Sequence, residues 1–529
     1  MPKITDFSLG RNTESAQEAL SSIELRQEAR NQATALITLV EDWGTREEPV
    51  SFKEFETALR TALFALGRVL VMLFLARREI RVMRDYPASV KRNRRRFRRA
   101  PAQARNLSTM FGVVRYRRTY FREVAKKKRR GFYPLDVALG LTADRFSWNV
   151  LSQAARLACK MSFTEARMIL ASFVCQAPST EVIEKAVLGL GQHTSAWYAA
   201  APAPEDDGDV LVIQIDSKGA PTATKSELSR RRGKRRKKNL PKSPRHRGRH
   251  RRKRSSSKPR RKKGDKSKNA KMATLVVMYT LKRHGKYLLG PRNRWHYASF
   301  APKRHAFAVA RREANRRGFK QGTRKVIQVV TDGDPDLACY QTEYFPEAIH
   351  TVDIMHVIEK IWKAGECLHS EGSDELKSWM KRQKKRLYGG KEAVIVAELR
   401  SVLEATPKTG PGNKGRRERL TKAIKYLDKR LTKMNYATLI EQDMEIGSGM
   451  VEGAIKNLIG KRCDHGGMRW IKERAEAVVQ LRCIEANGDW EAFISFVHDR
   501  LQALAQQDGI RPRLQTSKPA PLPEIEVAA

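Results

Sequence analysis

Two aspartates and a glutamate stand where a metal-dependent phosphoryl-transfer site would need them. Asp216 closes the apolar run Val210-Leu-Val-Ile-Gln-Ile, and Asp332 closes a second, Val326-Ile-Gln-Val-Val-Thr. Glu452 follows the chain break Gly447-Ser-Gly449, in a run where Val451, Ala454, Ile455, Leu458 and Ile459 recur at helical spacing. Two carboxylates at strand ends and one in a helix form a donor set of hard oxygens, suited to Mg²⁺ with Mn²⁺ as a substitute. Two such ions, about 3.5–4 Å apart, activate an attacking oxygen and stabilise a leaving one. A glutamate in a first helical turn also has a plainer role, as the favoured charge at the positive end of the helix dipole. Asp334 and Asp336 compete with Asp332 but lie further past the strand, and Glu445 competes with Glu452 from before the glycines. Asp353 and His356 either line the site or form a structural pair.

The elements that must position these carboxylates can be read in order. Strands are expected at 210–216, 273–282 and 286–298, a helix at 303–317, a strand at 325–332, a helix at 334–344 and a strand at 348–353. Three strands joined by hairpins, followed by helix–strand crossovers, describe an α/β ribonuclease H-like catalytic core. In that order the first and fourth strands lie side by side, which would bring Asp216 and Asp332 together. Glu452 comes 120 positions after Asp332. The intervening stretch reads as helical from about 357 to 440, an insertion into the core rather than an overlong loop. Residues 205–356 and 441–504 would then be the two parts of the core, with a flexible polar tail over 505–529.

Charge bounds the partners. The 529 residues carry 105 Lys and Arg against 57 Asp and Glu, a net charge of +48, which points to a polyanion and above all to nucleic acid. Residues 225–271 hold 25 Lys and Arg against Glu227 and Asp265, a surplus of 23, with almost no apolar residue. That segment reads as a disordered loop that neutralises phosphates, Arg235, Arg236 and Arg252 among its contacts. Arg95, Arg96, Lys456, Arg462 and Arg469 are further candidate DNA contacts. Six scattered cysteines without a CxxC pair give no zinc or disulfide framework. The apolar run Val69–Ala76 is too short for a membrane span, and the expectation is a cytoplasmic protein.

Residues 1–204 read as mostly α-helical, preceding the core as a region for DNA binding or dimerisation. Helices are expected at 15–42 and from a capping box at Ser51/Glu54 to about Met83, the second apolar nearly all round and so buried between neighbours. Lys91–Arg99 is either a solvated linker or a DNA contact. Met110–Phe121 alternates as a strand or hairpin with Tyr116, Arg118 and Tyr120 on one face. Helices follow at 144–160, from a capping box at Ser162/Glu165 to about 174, and at 179–190. The last two form either a helix-turn-helix over 162–190 or a plain helical hairpin.

Together these motifs make the chain resemble a DDE transposase of a bacterial insertion sequence with a helical insertion before the final glutamate. It is most similar to the Kra-type insertion-sequence family and related Mutator-like enzymes. The resemblance spans roughly 105–500 and rests on Phe111-Gly-Val-Val, Tyr133-Pro-Leu-Asp-Val-Ala-Leu-Gly-Leu141, Ile215-Asp-Ser-Lys-Gly219, Thr331-Asp-Gly-Asp334, Val352-Asp-Ile-Met-His356 and Gly447-Ser-Gly-Met-Val-Glu-Gly453. It implies Asp216, Asp332 and Glu452 as catalytic metal ligands for two Mg²⁺. The implied partners are the double-stranded DNA of terminal inverted repeats and target, bound by a homodimer. Relatives commonly carry a zinc-binding cysteine pair before the Pro-Leu-Asp element; here the stretch is Arg122–Arg130, so no zinc is expected. The alternatives are a structure-specific nuclease with the same core and a non-enzymatic architectural DNA-binding protein.

Overall fold

A computed structural model describes residues 21–92, 94–124, 131–229, 270–320, 322–465, 468–508 and 512–523. Most of the basic segment 225–271, with Arg235, Arg236 and Arg252, lies outside these residues, and so does most of the stretch expected to lack zinc. The chain forms two compact units, Met1–Gly189 with Ile494–Thr516 and Leu190–Phe493 with Ser517–Ala529. The boundary falls before the proline-rich stretch near 205. Helix α7 (Thr194–Ala200) belongs with the second unit because its Tyr198 packs edge-on against Trp295 and Tyr297.

In the first unit, helices α1 (Ser22–Gly44) and α2 (Phe52–Arg84) meet through Leu25, Ala29 and Val69. A reciprocal capping box at Ser21 and Glu24 opens α1, whereas the Ser51 side chain makes no capping bond to α2. Only Ala65, Val69 and Leu75 of α2 are buried, while Leu63, Leu70, Phe74 and Ile80 are exposed, so the helix is not enclosed as its apolar sequence suggested. It is long and apolar enough to cross a membrane by length and composition alone.

The basic run 91–99 is neither linker nor coil. It forms the hairpin of β1 (Ser89–Arg92) and β2 (Arg95–Thr109), which continues into β3 (Gly112–Glu123) and β4 (Gly131–Phe132) as an antiparallel sheet in that order. Pro101 is accommodated where the β2–β3 register shifts between Ala100 and Gln103, since a bulge needs no ladder donor there. Leu107, Val114 and Tyr116 face Leu75 and Leu135, and Phe97 and Phe121 pack with Phe132 and Val137. Tyr116 and Arg118 are therefore buried, not displayed.

Helix α3 (Pro134–Ala138) carries Asp136 under this sheet. Helix α4 (Trp148–Lys160) starts at its Ser147 cap rather than at Asp144, whose carboxylate instead accepts the backbone N–H of Leu514 at 2.8 Å. The tail is thus ordered further than its composition implied, helical to Asp508 and with Leu514 buried. Helix α5 (Phe163–Ala171) has the expected capping box at Ser162. Helix α6 (Thr180–Gly191) buries Ile183, Ala186, Val187 and Leu188 and exposes Glu181. Its outward side chains are Glu181, Glu184 and Lys185, with Lys185 paired to Glu181 at 2.7 Å.

The second unit is built on a five-stranded sheet, β5 (Val210–Pro221), β6 (Ala270–His284), β7 (Tyr287–Ser299), β8 (Val326–Thr331) and β9 (Ile349–Val352), in the order β7-β6-β5-β8-β9. β6 is antiparallel to β5 and β7, whereas β8 runs parallel to both β5 and β9. Crossover helices α8 (Lys303–Arg316) and α9 (Pro335–Tyr344) join the parallel strands. β8 and the first half of β5, 210–215, are buried almost throughout, which explains their continuous apolar sequence.

Between β9 and Glu452 come α10 (Ile354–Gly365), α11 (Asp374–Tyr388), α12 (Glu392–Ala405), α13 (Asn413–Asp428) and α14 (Tyr436–Glu441). They share a core that includes Ile361, Trp379, Leu387, Leu399, Leu420 and Leu427. Helix α15 (Gly449–Ala454) then widens into a π-helix, Ile455–Asp464, before α16 (Lys472–Ala486).

Candidate functional site

Ile215 of β5 pairs with Thr331 of β8, and Thr331 pairs with Val352 of β9. One step further along the three parallel strands come Asp216, Asp332 and Asp353, adjacent in register and on one face. Asp216 and Asp332 are half-buried and Asp353 is wholly buried. Among the described residues neither Asp216 nor Asp332 forms an ion pair. Burial pushes the Asp216 carboxyl up, and the charges of Asp332 and Glu452 push it further, against the Ser217 N–H and His356.

Glu452 reaches this edge of the sheet because its backbone approach is pinned. Gln214 and Gln328 are fully buried side chains on the same sheet face as Asp216 and Asp332. The Gln214 amide donates to the Gly447 carbonyl at 3.1 Å and accepts the Val451 N–H at 3.0 Å. The Gln328 amide donates to the Glu445 carbonyl at 2.6 Å and accepts the Glu445 N–H at 3.2 Å. Each amide offers both a donor and an acceptor, so one side chain can hold a loop in a single register. Glu445 itself interacts with Tyr279, away from the aspartates. Glu452 then projects from the first turn of α15, partly exposed, with Lys456 at 3.8 Å.

Asp353 has a different task. It caps α10 through the Met355 N–H, accepts the Ser448 hydroxyl at 2.5 Å, and accepts the His356 Nδ1–H at 2.9 Å. Burial works to raise its carboxyl, but these hydrogen bonds outweigh that and hold it low. His356 is raised by the Asp353 hydrogen bond and by the charges of Asp353, Asp332 and Asp216, against its own burial. With Nδ1 committed to Asp353, its Nε2 is the nitrogen left to face the carboxylates. Asp353, His356 and Glu452 can bring one ligand atom each within 4.8 Å of one another.

The helical insertion also touches the site. Tyr426 donates its hydroxyl to the Asp332 carbonyl at 2.9 Å, and Arg430 donates Nε to the Gly333 carbonyl at 2.9 Å while stacking on Tyr426. Gly333 sits at φ +78°, where the close Arg430 leaves no room for a side chain. The Ile354 N–H bonds the Ile446 carbonyl at 3.0 Å, so the two ends of the insertion meet.

The other sequence candidates are dispersed. Arg462 is buried at 1 % exposure with its guanidinium over Trp470, which removes it from any DNA-facing surface. Arg469 lies 3.5 Å from Glu227, and Arg95 lies 3.7 Å from Glu123. Arg96 and Lys456 are exposed. Asp334 and Asp336 both pair with Lys303. Gln214, Gln328, Tyr426 and Arg430 were not anticipated. A lone glutamine inside each of two apolar strands, Ile213-Gln and Ile327-Gln, was the available signal.

The profile of an uncharacterised protein family, UPF0236, matches residues 45–230. That UPF0236 match takes in α2, the N-terminal sheet and β5 with Asp216, and stops short of Asp332 and Glu452. No curated protein matches the chain.

Proposed function

We propose that this chain is a DDE-type transposase with a ribonuclease H-like core, which cleaves DNA at the ends of an insertion sequence and joins the 3′-hydroxyl ends to target DNA. One observation carries the reading: Asp216, Asp332 and Glu452 are grouped at the ends of the inner strands β5 and β8, and the two aspartates form no ion pair with a lysine or arginine among the described residues. Carboxylates gathered this way repel one another and favour a bound cation.

The donors fit Mg²⁺ or Mn²⁺, being hard oxygens that are partly open to solvent, with the imidazole of His356 beside them. Asp216, Asp332 and Glu452 would hold the ions. When bound, the ions supply charge neutralisation and an acidified water or hydroxyl. His356, oriented by Asp353, offers a proton at Nε2 to an oxygen that gains charge, or holds it back from the carboxylates. Gln214 and Gln328 keep Glu452 in register with the strands, and Tyr426 and Arg430 fix the loop after Asp332. The basic surface of the chain binds the duplex.

The test uses purified whole chain, Mg²⁺, and duplexes bearing the inverted repeats that flank its gene. Cleavage at the repeat end followed by joining to a second duplex supports the proposal. Cleavage without joining leaves a nuclease with the same core, and binding without cleavage in Mg²⁺ or Mn²⁺ refutes an enzymatic role.

A further inference from the structure

The N-terminal sheet is covered on one face only. Inward residues alternate with outward ones along β3: Gly112, Val114, Tyr116 and Arg118 are buried, while Val113, Arg115 and Arg117 are exposed. On β2 the outward neighbours of the last two are Asn106, opposite Arg115, and Ala104, opposite Arg117. Further along the same face Arg98 lies opposite Arg122, and Arg96 lies opposite Lys91.

Cation opposite cation across a ladder is destabilising, and this face tolerates it twice. None of Lys91, Arg96, Arg98, Arg115, Arg117 and Arg122 has an acidic partner among the described residues. On the inner face the opposite holds, since Arg105 and Arg118 share Asp136. Burial and pairing account for the inner arginines. Among the described residues the outer ones lack an acidic partner, and their charge complements a polyanion.

Shape selects the polyanion. Among the described residues β1 pairs with residues 95–98 of β2 alone, and β4 with Phe121 and Arg122 of β3 alone. Among the described residues the sheet between the pairs Gln103–Arg118 and Leu107–Val114 is therefore a two-stranded ribbon, and Ser108 beyond it is bridged to Phe146. Two strands roughly 4.8 Å apart fit a B-DNA major groove about 12 Å wide. The outward groups of that ribbon match base-edge chemistry: arginine forks suit guanine, asparagine suits adenine, and an alanine methyl suits thymine.

We propose that the outward face of β2–β3 enters the major groove of duplex DNA, with Asn106, Arg115 and Arg117 contacting bases and Lys91, Arg96, Arg98 and Arg122 contacting flanking phosphates. The choice of DNA rests on the transposase reading, whereas the surface stands on its own geometry. This ribbon supplies the sequence discrimination that a phosphate-neutralising segment cannot.

The experiment measures anisotropy of labelled repeat duplex and of a scrambled duplex with the whole chain, over a salt series. Arg115→Gln/Arg117→Gln is expected to reduce the preference for the repeat by about tenfold or more. Arg96→Gln/Arg98→Gln/Arg122→Gln is expected to weaken both duplexes alike and to lower the salt slope by about 2.7, at roughly 0.9 per phosphate contact. Ala104→Glu, an exposed site with no contact to lose, is expected to weaken binding without altering the melting temperature. Preference and slope unchanged in all three overturn the assignment. So does loss of single-stranded RNA or polyglutamate binding with duplex binding intact, or a wild type without preference for the repeat. A wild type that cleaves and joins while the variants keep full affinity refutes the ribbon alone; a wild type that never cleaves refutes the transposase reading and leaves the binding results to judge the ribbon.

Discussion

Asp136 in the first unit and Asp216 in the second are both aspartates drawn out of water, and their surroundings treat them oppositely. Asp136 is buried under the N-terminal sheet between the guanidinium groups of Arg105 and Arg118, with the Tyr116 hydroxyl as a third partner at 3.3 Å. Two charges and a hydroxyl satisfy it, and nothing further is needed. Asp216 has burial, two acidic neighbours and no guanidinium. The difference teaches where to look for chemistry: a compensated buried acid holds a fold together, and an uncompensated group of acids is a place for something else to bind.

The comparison can be broken by exchange of charge for amide. Asp216→Asn, Asp332→Asn or Glu452→Gln is expected to reduce Mg²⁺-dependent DNA cleavage by about a thousandfold or more, several kcal/mol of lost transition-state stabilisation. Duplex affinity should change little, because the proposal assigns it to the basic surfaces. A single variant with near wild-type cleavage removes that residue from the site. Asp136→Asn should do the reverse, costing about 3–5 kcal/mol of stability by removing the carboxylate that two guanidiniums share; a denaturant midpoint that does not move would show the pair to be idle.

Glu476 sharpens the contrast as a third kind of acid. It is buried, bonded to Ser299 and to the Phe300 N–H at 2.6 Å each, and lifted by burial from 4.5 to about 7. Because its folded value is raised, stability is fully present below pH 4.5 and is lost as pH rises through 7. The loss is on the order of 3 kcal/mol, and Glu476→Gln should flatten that part of a stability–pH profile. The smallest effect expected is metal binding itself. Mg²⁺ at ten to a hundred times its dissociation constant should stabilise the wild type by about 1.4–2.7 kcal/mol and leave Asp216→Asn unmoved, as read by thermal melting.

The strands of the second unit were legible because β5, β6 and β8 are buried on both faces and read as unbroken apolar runs. Their terminal aspartates stood out against that background. The helical insertion was legible from its periodicity and from the distance it puts between Asp332 and Glu452. The N-terminal sheet was not. β2 needs only Phe97 and Leu107 as inward apolar anchors, so its arginines resembled a solvated linker, and the partners of Arg105, namely Asp136 and the Thr142 and Asp144 carbonyls, come 31 to 39 positions later. Arg462 likewise counted as a surface cation until Trp470 covered it. Such pairings depend on tertiary contacts that no local pattern encodes. The glutamine anchors were visible as residues but not as anchors, since the loop they hold lies more than a hundred positions away.

The hydrogen bond between Ile354 and Ile446 makes the insertion a closed excursion from the core, and this bears on the order in which the molecule is born. Chain synthesis at about 5–20 residues per second puts Glu452 out of the ribosome roughly 6–24 s after Asp332. During that interval β5, β8 and β9 can assemble, and the insertion can fold on its own core, while the face above Gln214 and Gln328 stays open. Only when Glu445–Val451 docks on those two amides does the third carboxylate arrive. A nascent chain, rich in cations and close to nucleic acid from its first moments, therefore carries an incomplete site until Glu452 has been made and docked.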